Sequence, residues 1–120
     1  MLVSTQSNFH YDNRASGGLV VDPQEYEILA DTGALRQGRY ACMVSILTEV
    51  LDNSMAQFAV HRRDAADEND VEVMTVTVPV DDSKQFEFGF NIKTDERITV
   101  TPLVPIVGNI VASINWQRLL

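Results

Sequence analysis

Phe86, Phe88, Phe90 and Ile92 occupy alternate positions opposite Gln85, Glu87, Gly89 and Asn91. A helix turns about 100° per residue and would scatter those four side chains, whereas a strand puts residues i and i+2 on one face. This run therefore predicts a strand whose phenylalanine face is buried in the core with Ile98, Val100, Ile110, Ile114 and Trp116, and the same period recurs along the chain. From Arg39 to Val50, Tyr40, Cys42, Val44, Ile46, Thr48 and Val50 share one face, and Ala41, Met43, Ser45 and Leu47 share the other. Both faces are partly apolar, so the middle of this strand is expected to be covered on both sides. Shorter runs follow at 55–62, 97–101 and 109–118, the last with Ile110, Ala112, Ile114 and Trp116 on one face. Between Val71 and Val80 the alternation slips, with Val71 and Val73 on one parity and Met74, Val76 and Val78 on the other. A β-bulge near Val73-Met74 would restore one buried face, because one extra residue resets the period. Leu19–Val21 reads as a short strand, and Pro23–Leu29, compatible with a helical turn or a strand, is assigned to a strand. Asp31-Thr32-Gly33, Asp52-Asn53-Ser54, Asp81-Asp82-Ser83 and Thr94-Asp95-Glu96 are turn signals. No helical period is sustained over three turns. Seven or eight strands separated by frequent turns predict an all-β fold, an antiparallel β-sandwich or jelly roll.

The first residues read differently. Positions 1–17 are polar and aperiodic, ending in Ala15-Ser16-Gly17-Gly18. They are assigned to an extended N-terminal arm, and residues 18–120 to a single β-sandwich domain. A frayed terminus and an arm that orders on a neighbouring subunit are both compatible with this composition. Phe9 and Tyr11 are its large apolar anchors and Arg14 its cation, so the attachment reading places partner contacts there. On that reading, removing residues 1–16 leaves the fold intact.

Charge narrows the functional classes. Seventeen acidic residues against nine basic ones leave a net charge of −8 over 120 residues. Phosphate backbones and anionic lipid surfaces are held by Lys and Arg, so neither nucleic acid nor membrane is an expected partner. The first eight residues lack the basic head and apolar stretch of a secretory signal, and the apolar tract 103–112 is interrupted by Pro105, Gly108 and Asn109.

No constellation supports catalysis. The single cysteine, Cys42, excludes an internal disulfide and sits mid-strand among apolar residues, where burial raises a thiol's pKa and makes it inert. His10 beside Asp12 and His61 near Asp64 supply too few ligands for zinc. The acidic loop 64–70 has Asn69 where a calcium loop beginning at Asp64 needs glycine, and Thr75 where it needs glutamate. The expectation is a non-enzyme with no catalytic residue, metal or cofactor. From Ile98 to Leu120 the only charge is Arg118. A central strand covered by its own sheets explains most of this tract. Val111, on the opposite parity from Trp116, is explained least well, and with Leu119 and Leu120 it is assigned to an oligomer interface, since interface centres are poor in charge.

Leu35-Arg36-Gln37-Gly38-Arg39-Tyr40 entering a long strand resembles the Gly-x-Tyr strand entry of tumour-necrosis-factor-like and phage jelly rolls. His61 to Asp67 before a β-branched strand, Phe86 to Phe90, Asp95 to Val100, and Gly108 to Ile114 follow in an order similar to the small β-sandwich decoration, or cement, proteins on tailed-phage heads. The resemblance spans residues 35–119. It implies a virion structural protein on the outer capsid surface, made in the host cytoplasm, that binds the major capsid protein and itself as a homodimer or homotrimer. A receptor-binding or tail-associated phage domain and a carbohydrate-binding module are the competing readings.

Overall fold

The computed structural model describes residues 11–50, 56–64, 70–79 and 81–119. Eight strands and no helix occur among them: β1 (Asn13–Val21), β2 (Ala30–Asp31), β3 (Gly38–Val50), β4 (Ala56–Arg63), β5 (Asp70–Val78), β6 (Ser83–Ile92), β7 (Arg97–Pro102) and β8 (Gly108–Arg118). They form two four-stranded antiparallel sheets, with orders β1-β8-β3-β6 and β2-β7-β4-β5. We call these sheet A and sheet B. Consecutive strands cross repeatedly from one sheet to the other, the wiring of a jelly roll.

The core lies between the sheets and follows the alternation read from the sequence. Sheet A contributes Tyr40, Cys42, Val44, Ile46, Ile110, Ala112 and Ile114, and sheet B contributes Phe58, Val60, Val76, Val78, Ile98 and Val100, all buried. The charge-poor tract is accounted for in large part: β7 and β8 are both interior strands, and every residue from Ile98 to Pro102 is buried. In β5 the register steps from Met74 opposite Val60 to Glu72 opposite His61, leaving Val73 as the extra residue. The expected phase slip is thus a bulge at the expected place.

Three expectations change. The stretch 22–29 forms turns and bends rather than a strand, with Tyr26 at a positive φ of 59° and only Ala30–Asp31 pairing with β7. The three phenylalanines of β6, expected in the core with Trp116, are half-buried, because β6 is the open edge of sheet A. The stack of Phe88 on Phe90, with centroids 5.3 Å apart, shields them in part. Finally, the arm boundary drawn at residue 17 falls inside a strand: Asn13, Arg14, Ala15 and Ser16 pair with Trp116, Asn115, Ile114 and Ser113 of β8. Gly17-Gly18 is a bulge in β1, not a linker, and the register resumes at Leu19 opposite Val111. A side chain on Gly17 would collide with the Leu29 carbonyl, so glycine here permits the close approach of two backbones. Residues 1–10 lie outside the described residues.

Candidate partner-binding surface

The outer face of sheet A is a grid whose rows run across the strands. Leu19, Val111, Leu47 and Ser83 stand in register on β1, β8, β3 and β6. The next row is Ser16, Ser113, Ser45 and Gln85, and the next Arg14, Asn115, Met43 and Glu87. Beyond it Gln117, Ala41 and Gly89 are aligned, while at the opposite margin Val21, Asn109 and Glu49 are. The charged strand positions of this face are Arg14 and Glu87 on the edge strands and Arg39 and Glu49 towards the two ends of β3. Its centre is uncharged. A solvated sheet face ordinarily alternates polar side chains against the buried apolar ones. Here Leu19 is 63% exposed, Val21 63% and Leu47 46%, a contiguous apolar group around the half-buried Val111.

The residues singled out from sequence converge on this sheet to different degrees. Val111 sits in the middle of the apolar row. Leu119 is 41% exposed and continues β8 beside β3, its amide donating to the Arg39 carbonyl at 2.7 Å. Arg14 is exposed on β1, in register with Asn115. Tyr11 is half-buried against its own sheet: its hydroxyl donates to Glu87 Oε2 at 3.1 Å, and it lines a cavity of about 310 Å³ with Arg39, Ala41, Gly89 and Leu119. The small side chains of that row leave the room it uses. The Asp12 amide donates to Gln117 Oε1 at 3.3 Å, which with the Tyr11 contact holds these two residues against one end of the outer face. Phe9 and Leu120 lie outside the described residues, as does most of the acidic loop 64–70. Sequence reading missed Leu19, Leu47 and the Tyr11–Glu87 contact. Leu47 was visible as an apolar residue on the second parity of its strand, but an exposed position and a covered one look alike without the neighbouring strands.

The interior offers no reactive centre among the described residues. Burial pushes the Cys42 thiol from its ordinary 9.0 up to about 12, so it stays protonated at neutral pH. No group of three or more His, Cys, Asp or Glu side chains among the described residues is placed to hold a metal ion. His61 is buried in β4, and His10 lies outside the described residues. Among the described residues no helix is long and apolar enough to cross a membrane.

No protein family and no curated protein sequence matches this chain. Many solved structures share its fold. The Eiger tumour necrosis factor of S. frugiperda superposes with a TM-score of 0.65 at 14% identity, over 89% of this chain and 92% of that one. The C-terminal family 22 carbohydrate-binding module of Clostridium thermocellum Xyn10B gives 0.58 at 12%, over 89% and 86%. The globular domain of zebrafish complement 1qA gives 0.57 at 8%, over 89% and 97%. At such identities the likeness is one of fold. The chain is a jelly-roll β-sandwich.

Proposed function

We propose that this chain is a non-enzymatic virion structural protein, a cement protein that self-associates through the outer face of sheet A and joins neighbouring major capsid subunits on the outside of a phage head. The observation that carries the reading is the uncharged middle of that face together with the exposed Leu19, Val21 and Leu47 towards one end of it. Strands about 4.8 Å apart and about 3.3 Å of rise per residue give a four-stranded face of roughly 700 Å². Two such faces in contact would bury roughly 1,400 Å², a standard size for a specific interface. Val111, Leu119 and Leu120 belong to this self-contact in a homodimer or homotrimer. The segment before β1, with Phe9 and Tyr11, and Arg14 at its junction with the sheet, grips the capsid. Depletion of charge at the centre, with charges left at the rim, is the usual anatomy of a protein interface. Binding only the assembled shell would stabilise it by mass action, without chemistry.

The test is co-sedimentation. Expanded phage heads stripped of accessory proteins should take up the chain in a fixed ratio to capsid subunits. No uptake, together with retention on immobilised xylan or cellulose, would replace this reading with the carbohydrate-binding one.

A further inference from the structure

Charge gathers at both ends of the sandwich. One end carries Asp22, Glu25 and Glu27 in the β1–β2 connection and Asp81 and Asp82 before β6. The other end mixes both signs: Arg36, Arg39, Lys93 and Arg118, with Arg62, Arg63 and Arg97 at the meeting of β4 and β7, share it with Asp31, Asp64, Asp95 and Glu96. Arg62 Nε lies 3.3 Å from Glu96 Oε2, and Arg97 Nε 3.3 Å from Asp31 Oδ2, so these two cations are matched within the fold. Arg36 and Lys93 are exposed and form no ion pair with a described residue.

Beside them lies a depression of about 560 Å³ lined by Arg36, Gln37, Gly38, Thr94 and Arg118, with no carboxylate in its wall. Asp95 follows Thr94 in the adjoining turn and does not line it. The wall is held in shape by backbone. Leu35 N donates to Glu96 O at 2.9 Å and Asp95 N to Leu35 O at 3.1 Å, which ties the two loops together. The Tyr40 hydroxyl donates to Arg36 O at 2.6 Å. Arg118 donates from Nε and Nη2 to Gln37 O at 3.0 and 2.8 Å, which fixes its guanidinium while leaving Nη1 uncommitted. In a chain of net charge −8, this is a local positive concavity on a rigid frame.

We propose that this depression is a carboxylate-binding site for an acidic polypeptide segment, with Arg36 and Arg118 each engaging a side-chain carboxylate and Lys93 adding charge at the margin. Guanidinium forks match carboxylates in geometry and strengthen the bond by charge. A phosphate is usually enclosed by a helix N-terminus or a nest of amides, and an open groove with separated guanidinium groups suits carboxylates spaced along an extended chain better. The site is distinct from the outer face of sheet A and stands whether or not the partner is a capsid.

The test is an NMR titration of the full chain with a hexaglutamate peptide and, separately, with inorganic phosphate. Saturable shifts are expected at the Gln37, Gly38 and Thr94 amides and at the Arg36 and Arg118 side chains. Affinity should fall at least tenfold in a doubly substituted Arg36→Ser, Lys93→Ser variant and stay unchanged in Lys84→Ser, at the opposite end. Shifts spread evenly over all cations would overturn the proposal, as would phosphate binding as tightly as the peptide. Shifts that follow protein concentration and ignore the peptide would assign the groove to the acidic end of a second copy, and would also overturn it.

Discussion

Replacing Leu19 and Leu47 together by serine tests the self-association surface without touching the core. Full burial of a leucine is worth about 1.5–3 kcal/mol. Leu19 leaves 63% of its surface exposed and Leu47 leaves 46%, so a covering partner recovers about half of that value at each. The pair should contribute about 1.5–3 kcal/mol per protomer, and a dimer carries the change on both sides, so the dissociation constant should weaken on the order of 10²- to 10⁴-fold. The same changes at exposed positions should move the folding stability of a protomer by no more than about 0.5 kcal/mol each. Sedimentation equilibrium across a concentration series reads the first quantity, and urea unfolding of the variant reads the second. The wild-type chain should be dimeric or trimeric and the variant should dissociate at concentrations where the wild type stays assembled. An unchanged association constant in a normally folded variant would refute the assignment of the apolar row to the interface. A wild-type chain that stays monomeric at high concentration would refute the self-contact altogether.

Phe58→Ala should cost about 3–5 kcal/mol, because this ring is fully buried, whereas the half-buried Phe88→Ala should cost about half as much; equal costs in urea unfolding would mean that β6 is not an open edge. Thr99 and Thr101 are fully buried with hydroxyls that have no hydrogen-bond partner among the described residues, so Thr99→Val should raise the stability by about 1–2 kcal/mol in the same assay, with a loss counting against the burial. Because the Cys42 thiol is pushed up to about 12 from 9.0, the unfolded chain gives up this proton first as pH rises; the stability contribution, complete below about 9, should decline between those values, and Cys42→Ala should flatten that part of the pH profile. Deleting residues 1–16 removes the first half of β1, four of its seven pairings with β8, and should lower the melting temperature, while deleting residues 1–10 should leave it nearly unchanged and weaken capsid uptake at least tenfold.

How much of this was legible beforehand depends on the range of the interaction that decides each feature. Period-2 alternation is local, and it was enough to place β3 to β8, the core residues of β3, β4, β5 and β7, most of those of β8, and the bulge at Val73. The same locality explains the failure at 22–29. Gln24 N donates to Glu27 Oε1 and Tyr26 N to Pro102 O, so this segment folds as a turn held against β7, which no neighbouring residue announces. The glycine pair misled for a similar reason. Gly17-Gly18 has the composition of a linker, and only the approach of the Leu29 carbonyl turns it into a strand bulge.

The sequence by itself determined the all-β class, the phase of β3 to β8 and the absence of any recognisable catalytic signature, because these rest on side-chain type and on spacings of a few residues. Tertiary structure alone decided which strands became neighbours. That choice made β6 an edge with half-exposed phenylalanines and put Leu19, Val111 and Leu47 in one row although they lie far apart in the chain. It also gathered Arg36 and Arg118 around one groove. Strand order is set by the burial of two sheets against each other, a cooperative sum over residues distant in sequence. Surfaces assembled from several strands become visible only once that sum is complete.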